Sequence, residues 1–169
     1  EIKELLSHEP TAELIAELAQ DKRVAVQKLL QSYHKRIEKA ALEKERFYKM
    51  LSYERQYYGE GAKLIAGVDE AGRGPLAGPL VIAAVILPED VFISGLNDSK
   101  QISASKRAKL YDEVLQKAIS VSVNIVSISN IDELNIYRAT QVGMSEVLLS
   151  LDVRPDVALI DAMPVEAED

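Results

Sequence analysis

Asp69 and Glu70 stand side by side at the end of a short apolar run, Leu64 to Val68, that is long enough for a buried strand. Packing gives no reason to set two acids together there. Their repulsion and desolvation cost free energy unless a cation or a proton offsets them. A second apolar run, Val157 to Ile160, ends in a third acid, Asp161. If the two runs are neighbouring parallel strands, Asp69 and Asp161 meet at the carboxyl ends of a sheet, where open α/β folds place ligands. Adjacent strands lie about 4.8 Å apart, and two ionised carboxylates at that separation need a shared cation. Glu70 points to the opposite face of its strand. It joins the same site only where the pleat ends, which the following Ala71-Gly72 turn allows. Three oxygen-bearing ligands plus water suit one or two hard divalent ions, magnesium or manganese. Two such ions would activate a water and stabilise the leaving oxygen of a phosphodiester. The competing reading makes Asp69 and Asp161 ordinary strand-end turn residues.

Directly after the paired acids comes Gly72-Arg73-Gly74. Glycines let backbone N–H groups approach an anion or a sugar hydroxyl closely, and arginine pairs with phosphate. The spacing is wrong for a dinucleotide fingerprint, and a strand follows where that motif needs a helix. A Walker A loop is excluded as well, because no Gly-Lys-Ser/Thr follows. Lys100, after Asn97-Asp98-Ser99, is a second phosphate candidate, against the plainer reading of a solvated loop lysine.

The elements that must position these residues follow from the pattern. Leu80 to Leu87 is a second strand rich in β-branched residues, and Pro88 to Ser99 is a loop marked by turn formers. Ser103 opens a helix to about Ala118, with Leu110, Val114 and Leu115 on one face. Ser120 to Ser129 alternates serine with apolar residues, the pattern of a half-buried strand. Asn130 or Asp132 begins a helix to about Leu151, with Leu134, Ile136, Ala139, Val142, Val147 and Leu148 inward. Pro155-Asp156 breaks it before the strand that ends in Asp161.

Upstream, Thr11 is a plausible N-cap for a short helix holding Leu14, Ile15 and Leu18. Asp21 is a candidate N-cap for a second, much longer one. There Val26, Leu30, Tyr33, Ile37, Ala40, Phe47 and Leu51 recur at spacings of three, four or seven, with Lys44 on the same seam. Residues 1–61 are therefore read as a helical N-terminal region, with a boundary at Gly59-Glu-Gly61, and residues 62–169 as an α/β domain. Residues 22–55 carry ten basic and four acidic side chains, whereas residues 63–169 carry nine basic and sixteen acidic. Two readings of the basic helix stand: a solvated face, or an arm whose Lys22, Arg23, Lys28, Lys35, Arg36 and Lys39 grip phosphates.

At 169 residues, 47% hydrophobic and 28% charged, the chain has enough apolar content for a packed core. The net charge of −7 taken alone argues against a polyanionic partner, but its uneven distribution matters more than the sum. No apolar run approaches the roughly 20 residues of a spanning helix. With no signal-like opening and no cysteine, the expected location is the cytoplasm and no thiolate metal site is available.

Taken together, Gly67-Val-Asp-Glu-Ala-Gly-Arg-Gly-Pro-Leu-Ala-Gly-Pro79, Leu96-Asn-Asp-Ser-Lys100, Asn135 within a helix and Leu159-Ile-Asp-Ala162 closely resemble prokaryotic type II ribonuclease H, the ribonuclease HII family. The resemblance spans roughly residues 64–162. It implies a ribonuclease H-like mixed sheet flanked by helices, with residues 1–60 similar to an N-terminal extension of some members. It also implies a metal-dependent endonuclease that cuts the RNA strand of RNA·DNA hybrids, or beside single ribonucleotides in duplex DNA, leaving 5′-phosphate and 3′-hydroxyl ends. Carried over by motif, Asp69, Glu70 and Asp161 are metal ligands, Gly72, Arg73 and Gly74 read the ribose 2′-hydroxyl and nearby phosphates, and Lys100 holds a phosphate. No membrane and no obligate protein partner is implied. The family pattern continues with a fourth acid in a lysine–glycine–aspartate segment and a later tyrosine, both beyond Asp169. The chain is therefore expected to be a piece of a longer protein, incomplete at the C-terminal end of its fold, with apolar surface exposed and little or no activity by itself. An alternative expectation is a non-catalytic piece that binds hybrids through its basic helices.

Overall fold

In the computed structural model, residues 2–74 and 78–161 are described. They form two compact units that divide between Lys49 and Met50.

The first unit is helical. Helix α1 (Ile2–Leu5) is followed by α2 (Ala12–Gln20) and α3 (Val24–Met50). Thr11 caps α2 as expected, its hydroxyl accepting the Leu14 N–H at 3.3 Å. Asp21 ends α2, and its carboxylate accepts the Arg23 N–H at 2.9 Å and the Arg23 guanidinium, so it shapes the link into α3. Leu6, Leu18, Val26 and Leu30 form a small buried core, with Leu14, Ile15 and Tyr33 packed against it. The seam read along α3 is buried at Val26, Leu30 and Phe47, but Ile37 between them is 48% exposed.

In the second unit, α4 (Ser52–Gly59) precedes β1 (Ile65–Ala71) and β2 (Leu80–Ile86). A short 3-10 turn (Ser99–Gln101) leads to α5 (Ala104–Lys117), capped by the Ser103 hydroxyl on the Lys106 N–H. Then come β3 (Ser120–Val126), α6 (Ile128–Leu149) and β4 (Val157–Ile160). The four strands form one mixed sheet in the order β3-β2-β1-β4, antiparallel except for the parallel pair β1–β4.

Helix α6 covers one face of this sheet. Its Ala139, Met144 and Val147 join Val68, Leu80, Ile82, Ala84 and Val126 in the main core. The approach is close: a Cβ on Gly143 would fall 2.5 Å from Ile82 Cδ1 and 3.0 Å from Val126 Cγ2. A larger residue there would have to push these side chains aside. Helix α6 starts at the Ser127 cap, earlier than Asn130, and is not continuous. Asn135 sits at φ 62°, ψ 160°, and its side chain accepts the Arg138 N–H at 3.1 Å, capping the second half. The kink shifts the helical phase, so Leu134 before it is 37% exposed rather than inward.

Candidate active site

Two of the acids lie at the ends of paired strands. Parallel bridges join Ile65 to Val157, Ala66 to Ala158, Gly67 to Leu159 and Val68 to Ile160. Asp69 follows Val68 within β1, and Asp161 follows Ile160 just past the end of β4, so each of these acids comes one residue after the last bridged pair. Asp156 fixes the start of the same strand pair. Its Oδ2 accepts the N–H groups of Lys63 (2.8 Å) and Leu64 (2.9 Å), and these two bonds hold its pKa below the ordinary carboxylate range. The sequence pattern reads Pro155-Asp156 only as a helix breaker. An acid just ahead of an apolar run is the signal that could have found its second role.

Glu70 lies on the other face. The pleat does not end at Glu70, because the β1–β2 ladder runs on through Glu70↔Ile82 to Ala71↔Val81. Glu70 therefore shares the face of Ile82, and its Oε1 stands 3.3 Å from Arg73 Nη1 as an ion pair. Asp69 Oδ1 accepts the Glu70 N–H at 2.8 Å. Among the described residues, no three His, Asp or Glu side chains converge closely enough to hold an ion.

Gly72 is required by its turn. It has φ +92°, and a Cβ there would fall 2.5 Å from the Pro79 carbonyl oxygen. A side chain at this position would clash with backbone and strain the chain. Arg73 and Gly74 are exposed beyond it, and residues 75–77 lie outside the described residues. Lys100 is exposed on the separate 3-10 turn, where Asp98 Oδ1 accepts its N–H at 2.8 Å. Toward the start of β1 a cavity of about 130 Å³ is lined by Tyr58, Glu54, Glu89, Gly67 and Val85 among others. Burial, with Glu89 and Glu54 nearby, raises the pKa of Tyr58.

Residues 66–168 match the family model of ribonuclease HII, and residues 1–58 match that of the ribonuclease HII N-terminal domain. The chain belongs to the ribonuclease HII family. It is 46% identical over 168 residues to ribonuclease HII of Ligilactobacillus salivarius, covering 99% of this chain and 66% of the relative. With ribonuclease HII of Bacillus anthracis it shares 48% over 166 residues, covering 98% and 64%. The chain thus spans about two thirds of the length of these curated relatives. Among solved structures, the ribonuclease H2 of Pyrococcus horikoshii superposes with a TM-score of 0.53 at 32% identity, covering 61% of this chain and 52% of that one. A mutant form of the Bst ribonuclease HIII reaches 0.51 at 19% identity, covering 62% and 38%, a likeness of fold alone. Ribonuclease HII membership and the ribonuclease H-like fold agree with the motif resemblance, and the helical residues of the first unit carry the family's own N-terminal match.

Proposed function

We propose that the complete protein is an endoribonuclease that cuts the RNA strand of RNA·DNA hybrids and duplex DNA at embedded ribonucleotides, leaving 5′-phosphate and 3′-hydroxyl ends. The observation that supports this most is the parallel β1–β4 register through Val68↔Ile160, which, continued by one residue, would set Asp69 beside Asp161. Hard oxygen donors at adjacent strand ends fit a divalent ion such as magnesium or manganese, with Asp69 and Asp161 as the first ligands; Glu70, which faces the other way and pairs with Arg73 in this structure, would have to turn at the strand end to become the third. Such an ion would supply charge neutralisation at the phosphodiester and a lowered pKa for an attacking water. Arg73 pairs with Glu70 through one guanidinium nitrogen and has further donors to offer a phosphate. The bend at Gly72–Gly74 brings backbone close to the ribose, whose 2′-hydroxyl separates RNA from DNA. Lys100 contributes a point charge for a neighbouring phosphate. The proposed location of this activity is the cytoplasm. No helix among the described residues is long and apolar enough to cross a membrane.

Cleavage of duplex DNA containing one ribonucleotide, by the complete protein with divalent ion, tests the reading. Asp69→Asn is expected to lower the rate about a thousandfold, equivalent to roughly 4 kcal/mol of transition-state stabilisation. Near-normal cutting by that variant would remove Asp69 from the mechanism. The 169-residue chain, which spans about two thirds of its relatives' length, is proposed to cut weakly or not at all.

A second reading concerns binding, and one feature of α3 favours it. Lys28, Lys35 and Lys39 recur at seven and four residues on the helix face opposite Val26, Leu30 and Tyr33, and all three are exposed. Arg36 does not belong to this stripe: its guanidinium donates to the Leu6 carbonyl and lies over the Tyr33 ring. Replacing the three lysines by glutamine is expected to reduce the salt slope of hybrid binding by about 3 if each meets a phosphate. An unchanged slope would leave the stripe merely solvated.

A further inference from the structure

The peptide unit that joins Ser99 to Lys100 is held at both ends. Its carbonyl oxygen accepts a hydrogen bond from Arg107 Nη1 at 3.0 Å, and its N–H donates to Asp98 Oδ1 at 2.8 Å. Around it, Asn97 Nδ2 donates to Gln101 Oε1 at 3.0 Å, and the Asp98 carbonyl accepts the Gln101 N–H at 2.9 Å. The Lys100 side chain itself is exposed and makes no ion pair among the described residues. A turn is thus fixed tightly at its backbone while the cation it carries is left available.

The clamp comes from an unexpected place. Arg107 and Lys106 sit in the first turns of α5, which has no acidic residue in its first turn. Cations there oppose the helix dipole, which favours negative charge at the N-terminus and positive charge at the C-terminus. Helix stability therefore gives no reason for them. Both instead reach back to the preceding loop: Arg107 to the Ser99 carbonyl, and Lys106 against Gly95, where a Cβ would fall 2.6 Å from its Nζ. Leu110, 6% exposed, anchors the same helix one turn later.

We propose that Arg107 is a positioning residue for duplex binding, orienting the Ser99–Lys100 peptide so that the Lys100 ammonium meets a substrate phosphate. This rests on the reading of Lys100 as a phosphate contact and adds to it the residue that aims the lysine. Arg107 acts through the turn and not on the phosphate itself.

The test uses the complete protein, an RNA·DNA hybrid as probe, and two readouts. Amide hydrogen exchange over residues 98–101 reports the turn alone; Arg107→Met is expected to speed it markedly and Arg107→Lys to restore part of the protection. Unchanged exchange in Arg107→Met overturns the proposal whatever happens to binding. For affinity, Lys100→Met is expected to weaken the hybrid about tenfold and Arg107→Met about fivefold, with the double variant no weaker than Lys100→Met. The double variant should lower the salt slope by about 1; a fall of about 2 would mean that Arg107 touches a phosphate itself, which overturns the positioning role. If Lys100→Met binds normally while Arg107→Met loosens the turn, the Lys100 reading fails, and Arg107 is a clamp without a part in binding.

Discussion

The same four strands present two unlike faces. Toward α6, Leu80, Ile82 and Ala84 are fully buried beneath Ala139, Gly143 and Met144. Away from α6, Val123 is 55% exposed and Ile125 66%, and strand alternation puts Asp69, next to the buried Val68, on this face. One face holds the unit together, and the other carries Asp69, which is proposed to hold an ion. Strand alternation makes this division possible, because neighbouring residues of one strand serve different faces. The boundary runs between Asp69 and Glu70, whose side chains part although their backbones are joined.

The comparison can be broken by substitutions that should touch one face only. The largest effect expected is the loss in cleavage rate on Asp69→Asn given above, accompanied by an unchanged or slightly raised Tm, since one of two neighbouring like charges is removed. A marked drop in Tm would show that the acid face also supports the fold. On the other face, Ile82→Ala should cost about 2–4 kcal/mol in denaturant unfolding, because the cavity lies under a helix held close by Gly143. A cost below about 1 kcal/mol would mean that the α6 face is loosely packed.

Asp156→Asn sharpens the comparison through pH, with the smallest effect of the three. The native carboxylate titrates below its ordinary range because it accepts the Lys63 and Leu64 N–H groups. Its stabilisation is therefore complete above the ordinary carboxylate pKa and is lost as the pH falls through the lowered native value. Native protein should have a higher Tm than Asp156→Asn at neutral pH, and the gap should close in acid. A gap independent of pH would assign the effect to something other than this carboxylate.

Much of the fold is legible in the sequence because it follows local rules. Thr11 and Ser103 announce their helices through capping hydroxyls, and the apolar runs at 64–68, 80–87 and 157–160 announce strands. The strand β3 is different. Its alternation of serine with valine and isoleucine reads as half-buried, yet Ser120 and Ser122 are the buried ones, at 4% and 9% exposure, while Val123 and Ile125 face out. The close approach of α6 admits small residues, and Ser120 Oγ is occupied by the Asp152 N–H at 3.0 Å. Periodicity gives the alternation but not which face a helix will take. Nor is the kink at Asn135 readable, since a positive φ outside glycine depends on the surrounding packing. At the site, the motif supplies the residue types. The parting of Asp69 from Glu70 needs the β1–β2 register.

The bonds from Asp156 to Lys63 and Leu64 span 93 and 92 residues of chain. Closing a loop of that length costs about 4 kcal/mol of chain entropy beyond the contact itself. Nothing emerging early from a ribosome can meet this cost, because β4 is the last of the four described strands to be made. The β1–β4 pairing therefore forms late in folding and not at the outset. A half-synthesised chain has the Gly72 bend but no neighbouring strand end beside Asp69, so the ion site proposed there cannot form until β4 has been made.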